Sequence, residues 1–316
     1  MGTIAPNVVV GGRYMVQGVL GRGGMGTVYR AQHLTLHRPI ALKVVDVETD
    51  ELALRFEREA RAIARLDHPG CVRVIDYGSA GPGQRFLAME LIEGTTLSPL
   101  IAGGPLPIAR ALHITRRVLA ALAHAHAHGV VHRDVKPDNI MLADEGGRVV
   151  LIDFGLAALA DAPALTREGM CLGSPSYVAP ERLLGRPHDA RTDLYAVGVV
   201  LFEMLTGVRP FVGATPRAVM EQALARPPRP ARALRPDISP ALEAVLWRAL
   251  AKDPARRFAD AEDLRSALET VEELACADAA EPDEDAADAA LTQLALVLDA
   301  PPWYRRLWQR LSGVAA

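Results

Sequence analysis

Strands first and helices afterwards is the order the sequence predicts, and three observations carry it. Residues 14 to 90 are dominated by short β-branched runs, with a single amphipathic helical stretch among them. Beyond Glu90 the spacing of apolar residues turns helical, over 107–128, 191–206, 239–251 and 259–270. One segment of the second part departs from this: NIMLADEGGRVVLID alternates as a β-hairpin, turning at Asp144-Glu145-Gly146-Gly147.

In order along the chain, VQGVLGRGGMGTVYRAQ places two strands around a cluster of glycines, and PIALKVVDV reads as a third strand. Thr49-Asp50 offers an N-cap to the helix ELALRFEREARAIARL. Leu52, Phe56, Ile63 and Leu66 form its apolar stripe, and Glu59 falls on that same stripe. A carboxylate on a core-facing seam needs a cation. From Val271 to Ala289 there are eight acids and no base, so residues 270–290 are expected to be a solvated, alanine-rich linker. A basic and aromatic tail, 291–316, follows. There is no internal repeat.

Composition excludes several classes. A net charge of −3 gives no reason to expect nucleic acid as partner. Of the 35 basic residues only Lys43, Lys136 and Lys252 are lysine, and none stands in the Gly-Lys-Ser/Thr of a Walker A loop. Three scattered cysteines, Cys71, Cys171 and Cys276, make neither a disulfide framework nor a zinc ribbon and read as reduced thiols. The longest apolar run, Tyr195 to Leu205, is 11 residues long and contains Glu203. A span needs about 20, so a cytoplasmic protein is expected.

The chemistry lies in a set of motifs. Gly21-Arg22-Gly23-Gly24-Met25-Gly26 would be a weak signal alone, because dinucleotide-binding turns carry the same glycines. There the glycines open a helix; here TVYRA follows and prefers strand, so the loop reads as a strand–turn–strand cover over phosphates. Lys43 lies on the next strand and needs an anion, while Glu59 needs a cation, so the two are expected to pair. His132-Arg133-Asp134-Val135-Lys136-Pro137-Asp138-Asn139 precedes the hairpin, whose closing brings Asn139 beside Asp153. Two hard oxygen donors next to an anion site suit a Mg²⁺–nucleotide. Asp153-Phe154-Gly155 and Ala179-Pro180-Glu181 complete the series.

These motifs, joint and in order over residues 12–269, resemble the eukaryotic-type (Hanks-type) Ser/Thr protein kinases, most of all the bacterial branch with its GxGGMGxVY loop. The resemblance implies a two-lobed α+β fold: an N-lobe of sheet and one helix, 12–90, and a mainly helical C-lobe, 94–269. It implies ATP with Mg²⁺, Mn²⁺ being the alternative ion, and protein substrates with Ser or Thr acceptors. Gly21, Gly23, Gly24, Gly26 and Val28 would cover the nucleotide, with Ala41 and Met141 on either side of the adenine. Met89 would be the gatekeeper, and the backbones of Glu90 and Ile92 the hinge. Lys43, oriented by Glu59, would hold the α/β-phosphates; Asp134 would be the base and Lys136 would neutralise the transferred group. Asn139 and Asp153 would hold the metal ions. Ser174 takes the place of a hydroxyl that bonds the base and Lys136, and Arg133 that of a receiver for an activation-loop phosphate. Thr166, the only hydroxyl between Phe154 and Gly173, is the expected autophosphorylation site; relatives often carry two threonines there. Asp193, Glu181 and Arg257 match structural positions of the family.

Other features read as structural. His124, His126 and His128 have no acidic or thiol ligand near them in sequence and are expected to be packing residues. Arg55, Arg58, Arg61 and Arg65 read as a solvated face, and Lys252 as a surface residue. In the tail, Trp303, Leu307 and Leu311 share a helical face opposite Arg305, Arg306 and Arg310, which fits peripheral contact with a membrane, docking on a lobe, or a partner. The sequence leaves the oligomeric state open. The rival readings are a pseudokinase scaffold, against which Lys43, Asp134, Asn139 and Asp153 stand, and a small-molecule kinase, which would not need Ala179-Pro180-Glu181.

Overall fold

The structure is a computed structural model, and it describes residues 3–24, 26–143, 147–154 and 175–277. Its contacts divide the chain into two compact units, one of Met1–Pro99 with Ala121–Ser174 and one of Leu100–Ala120 with Pro175–Ala316.

The first unit contains a six-stranded sheet in the order β1-β2-β3-β4-β6-β5. Its strands are β1 (Val9–Val10), β2 (Tyr14–Gly23), β3 (Gly26–His33), β4 (Arg38–Asp46), β5 (Val74–Gly81) and β6 (Gln84–Glu90), paired antiparallel throughout. Alternation along a strand sends successive side chains to opposite faces. One face buries Tyr14, Val16, Tyr29, Ala31, Ile40, Leu42, Val44, Phe86 and Ala88 in a single cluster. Full burial of each larger side chain contributes about 1.5–3 kcal/mol. The opposite face therefore carries Val28, Ala41, Lys43, Leu87 and Met89, because Val28 lies across from Lys43, Lys43 across from Leu87, and Ala41 across from Met89.

Helix α1 (Asp50–Ile63) connects β4 to β5. Thr49 caps it, its side chain accepting from the Leu52 amide at 3.2 Å. The buried residues are Ala53, Phe56, Ala60 and Ile63. Phe56, Ile63 and Leu66 are buried as expected, while Ala53 and Ala60 take the seam positions beside half-buried Leu52 and Glu59.

After β7 (Gly94–Thr96), α2 (Leu97–Ala102) and the long α3 (Ile108–Ala127) comes the expected hairpin of β8 (Ile140–Ala143) and β9 (Arg148–Leu151). β7 joins it as a third strand. The hairpin groups with the first sheet rather than with the helices, and the cause is local. Val72 N–H donates to Leu151 O at 3.0 Å, and Leu151 N–H donates to Gly70 O at 2.8 Å. The loop after α1 thus grips the strand that leads into Asp153, and the division of the chain into compact units does not fall at Glu90.

The second unit is helical: α4 (Pro180–Leu183), α5 (Arg191–Thr206), α6 (Pro216–Ala225), α7 (Ala231–Leu234), α8 (Pro240–Ala249) and α9 (Ala261–Ala277). α5 buries residues on every side, as a helix apolar all round must. It stops at Gly207, whose φ of +72° suits glycine at a helix C-terminus. α9 runs past the expected end at residue 270. Val271 is buried and Glu272 pairs with Arg116 at 2.6 Å, so the first part of the expected linker is packed helix. The rest of the linker and the tail at 291–316 lie outside the described residues. No helix among the described residues is long and apolar enough to cross a membrane.

Candidate active site

The sequence folds Gly21 to Gly26 into the end of the β2–β3 hairpin, with Gly21 opposite Val28 and Gly23 opposite Gly26. Gly26 has no substitute here. Its φ is +144°, and a Cβ would stand 2.3 Å from the Val44 carbonyl oxygen. Gly21 and Gly23 have open space where a Cβ would be, and Gly24 is exposed, so these three positions present backbone alone. Val28, Ala41 and Met89 lie with Lys43 on the sheet face opposite the aromatic cluster. The Glu90 amide donates to Arg73 O at 2.9 Å while the Glu90 carboxylate accepts from Arg73 N–H and Arg148. Ile92 follows, half-buried, and Met141 lies across from Thr96 in the three-stranded sheet.

Asp134 is the centre of a bonded cluster. Lys136 Nζ donates to its Oδ2 at 2.6 Å, and Asn139 Nδ2 donates to its backbone carbonyl at 2.8 Å and to Oδ2 at 2.9 Å. His132, fully buried, holds the loop from behind. Its Nδ1 accepts from the Asp134 amide at 3.2 Å and its Nε2 is 2.9 Å from Ile152 O, which fixes the proton on Nε2. Ile152 N–H in turn donates to Asn139 O at 3.0 Å. Arg133 and Asp153 both adopt left-handed backbone, at φ +67° and +64°. Such strain costs about 1–3 kcal/mol per residue and persists only where surrounding bonds enforce it.

The expected Lys43–Glu59 pair is not the one formed. Lys43, almost fully buried, places Nζ 3.0 Å from Asp153 Oδ2. Glu59 Oε1 lies 3.8 Å from Arg133 Nη1 and 3.9 Å from Arg58 Nη2. A buried ammonium takes the carboxylate brought closest to it, and the hairpin brings Asp153 there. Glu59, at the edge of its helix seam, meets the guanidiniums instead. All four side chains are gathered in one unit, in two cation–carboxylate pairs.

Asn139 and Asp153 suit a divalent cation. Both are oxygen donors, Asn139 spends its amide N–H groups on Asp134 and leaves Oδ1, and the Ile152–Asn139 bond ties the two segments together. Ser174 and Thr166 lie outside the described residues.

A family model described as "Protein kinase domain" matches residues 14–269. The chain belongs to the protein kinase family. Among similar proteins, serine/threonine-protein kinase pkn3 of Myxococcus xanthus is 41% identical over 236 residues, which is 70% of this chain and 42% of that protein. Serine/threonine-protein kinase PknL of Mycobacterium bovis is 44% identical over 216 residues, covering 67% of this chain and 54% of that one. The DNA damage-responsive serine/threonine-protein kinase RqkA of Deinococcus radiodurans is 44% identical over 230 residues, covering 71% of this chain and 34% of its own length. The match thus spans about half or less of these relatives. The fold class implied by the resemblance, a sheet with one helix followed by helices, is the one observed. Family membership brings ATP as substrate and a divalent metal ion.

The kinase domain's second unit holds what the sequence marked as structural. Glu181 and Arg257 form a bidentate pair at 2.8 and 2.7 Å with almost no exposure. Asp193 is buried in α5. Lys252 corrects an expectation: it is not a surface residue. Its Nζ is buried 3.8 Å from the centre of the Phe211 ring, with no hydrogen-bond partner. Burial first, and the Arg257 charge second, pull its pKa down to about 7, while the ring face favours the ammonium. The histidines behave as packing residues. His68 stacks on His124, and the His124 ring meets that of the exposed His128 at a tilt of 36°. Sequence reasoning missed the group around Arg209, Glu203, Tyr177 and Ser176, which no local pattern announces.

Proposed function

We propose that this chain is a protein kinase that transfers the γ-phosphoryl group of ATP to serine or threonine hydroxyls of proteins, with Mg²⁺ as its ion. The observation that carries the reading is the bonded cluster of Asp134, Lys136 and Asn139, fixed by His132 and tied through Ile152 to the Asp153–Lys43 pair.

In this reading the Asp134 carboxylate receives the hydrogen bond of the acceptor hydroxyl and takes its proton as that oxygen bonds the γ-phosphorus and the bridging P–O bond to the β-phosphate breaks, ADP being the leaving group. Lys136, 2.6 Å from Asp134 Oδ2, offsets negative charge on the transferred group. The glycine-rich turn offers backbone N–H groups to phosphate oxygens. Lys43 then exchanges its contact with Asp153 for α/β-phosphate oxygens, and Glu59 moves from Arg133 to orient it. Asn139 Oδ1 and the Asp153 carboxylate would hold the metal ion, which would supply charge neutralisation on the phosphates. Val28, Ala41, Met89 and Met141 line the adenine, with Glu90 and Ile92 as hinge and Gly21, Gly23, Gly24 and Gly26 above. Thr166 is the reading's autophosphorylation site, with Arg133 its receiver, and Ser174 bonds the base.

The test is incubation of the purified chain with Mg-ATP, mapping of phosphate by mass spectrometry, and an Asp134→Asn control. Phosphate on Thr166 in wild type and none in the variant is expected. No phosphate anywhere in wild type would overturn the reading, and phosphate on tyrosine alone would overturn its Ser/Thr part.

A further inference from the structure

β6 ends at Glu90, and residues 91–93 after it are neither strand nor helix, so their place depends on how the chain is held at Glu90. Glu90 is held by its backbone and by its side chain. Its amide donates to Arg73 O at 2.9 Å, and its Oε1 accepts from Arg73 N–H at 3.0 Å. Arg148, the first residue of β9, closes over the same carboxylate with both arms of its fork. Nη2 donates to Oε1 at 3.0 Å and Nη1 to Oε2 at 3.5 Å, while Nε reaches Pro69 O at 3.1 Å.

One planar group thereby joins three segments of the first unit: the end of β6, the loop after α1, and the strand that runs on to Asp153. Leu151, at the far end of that strand, is bonded to Gly70 and Val72 of the same loop. At Arg148 the grip extends to Glu90. Exposure decides what this clamp is worth. The side chains of Arg148 and Glu90 are 40% and 27% exposed, and an ion pair this open to water adds little to folding. A bidentate fork nevertheless fixes direction, which the point charge of a lysine does not. The contribution is therefore to position.

We propose that Arg148 is a positioning residue for the purine base: by clamping the Glu90 carboxylate it sets the backbone of Glu90 and Ile92 where it matches adenine and not guanine. This rests on the kinase reading, in which those two backbones meet the adenine. Adenine offers an N6 amino donor where guanine offers the O6 acceptor. A backbone held in one place pairs with the first and leaves the second with unmatched polar groups. Once the clamp is loosened, the segment after Glu90 shifts and the discrimination falls.

The experiment uses the whole chain. Calorimetric titration with ATP and with GTP in EDTA gives the ratio of their dissociation constants, and turnover of a serine-containing protein substrate with Mg²⁺ gives KM and kcat for each nucleotide. In Arg148→Met the preference for ATP over GTP is expected to fall about 5-fold, the upper end for a partly exposed ion pair, with the change in KM rather than kcat. Arg148→Lys, which keeps the charge without the fork, lies between wild type and Arg148→Met. Glu90→Gln loses a similar share. Because the two side chains act as one clamp, Arg148→Met/Glu90→Gln loses about 5-fold and not the roughly 25-fold of independent effects. A brace that served stability alone would lower Tm and the active fraction for both nucleotides alike; an unchanged ATP/GTP ratio in Arg148→Met therefore overturns the proposal. Independent losses in the double variant overturn it too, because Arg148 would then not act through Glu90. Wild type that binds ATP in EDTA yet transfers no phosphate sinks the kinase reading alone, since the binding ratios are read without turnover.

Discussion

Replacing Arg257 with methionine isolates the electrostatic centre of the helical unit. The guanidinium is fully buried and saturated: two bonds to Glu181, one each to the carbonyls of Ala251 and Arg191, and a longer one to Lys252 O at 3.4 Å. Methionine keeps much of the stem's volume and removes every donor. Glu181, 5% exposed, then keeps the bond from the Thr192 hydroxyl at 2.9 Å, and the three carbonyls lose a donor. Breaking one side of a buried pair costs about 3–5 kcal/mol. For a domain of this size each kcal/mol moves Tm by about 2–4 °C, so the melt should fall by roughly 6–20 °C.

Acid weakens the same pair. Burial alone would raise the Glu181 pKa, but the bonds and charge of Arg257 more than reverse it and hold the carboxyl below its usual 4.5. The pair therefore contributes fully above pH ~4.5, and its contribution disappears as pH falls through the lower folded value. In Arg257→Met only the Thr192 and backbone bonds still oppose the effect of burial, so Glu181 protonates more readily and the variant loses part of its handicap in acid. Urea unfolding of both proteins at pH 7 and pH 4 checks this. A loss below about 1 kcal/mol at pH 7, or a gap that widens on acidification, would refute the argument.

Lys252→Met, with its pH dependence, tests the buried amine. The folded pKa of about 7 lies below the free value of 10.5, so between these limits the unfolded chain binds more protons and wild type gains stability as pH rises. The variant lacks this gain: its Tm advantage over wild type should be larger at pH 6 than at pH 9, and a constant difference would mean the Phe211 ring keeps the amine charged throughout. Lys43→Arg should lower kcat by on the order of 10²–10³, because a planar fork does not fit where a compact buried ammonium meets Asp153; near-normal turnover in a radiolabelled-ATP assay would contradict this.

Much of the architecture was legible because local chemistry dictates it. Thr49 had to cap α1, the alternation around Asp144–Gly147 had to pair Ile140 with Leu151, and α5 had no polar face to leave outside. What was not legible depends on residues far apart in the chain. β6 sits between β4 and β5, which no period shows. On α1 the small Ala53 and Ala60 are buried while the larger Leu52 is only half-buried, and apolar bulk in a sequence does not reveal that. α9 outran its expected end because Glu272, one acid in a run that reads as solvated, has Arg116 to meet. Lys43 had two candidate carboxylates, and the choice between Glu59 and Asp153 belongs to the assembled fold.

The lysine count changes meaning in the same way. In a chain that writes 32 of 35 basic residues as arginine, three lysines mark places where the compact head matters. Lys43 is buried against Asp153, and Lys136, 21% exposed, lies against Asp134. Lys252 was set apart as an ordinary surface residue, yet its Nζ is withdrawn from water. What the three share is therefore wider than contact with a nucleotide: each brings a compact head on a slender stem against a partner that is itself largely withdrawn from solvent. Two of them end on carboxylates, where phosphate oxygens can replace the partner, and the third ends on an aromatic face, which offers no exchange. That difference in partner, rather than the choice of lysine itself, separates the lysines suited to phosphoryl transfer from the one that serves the fold.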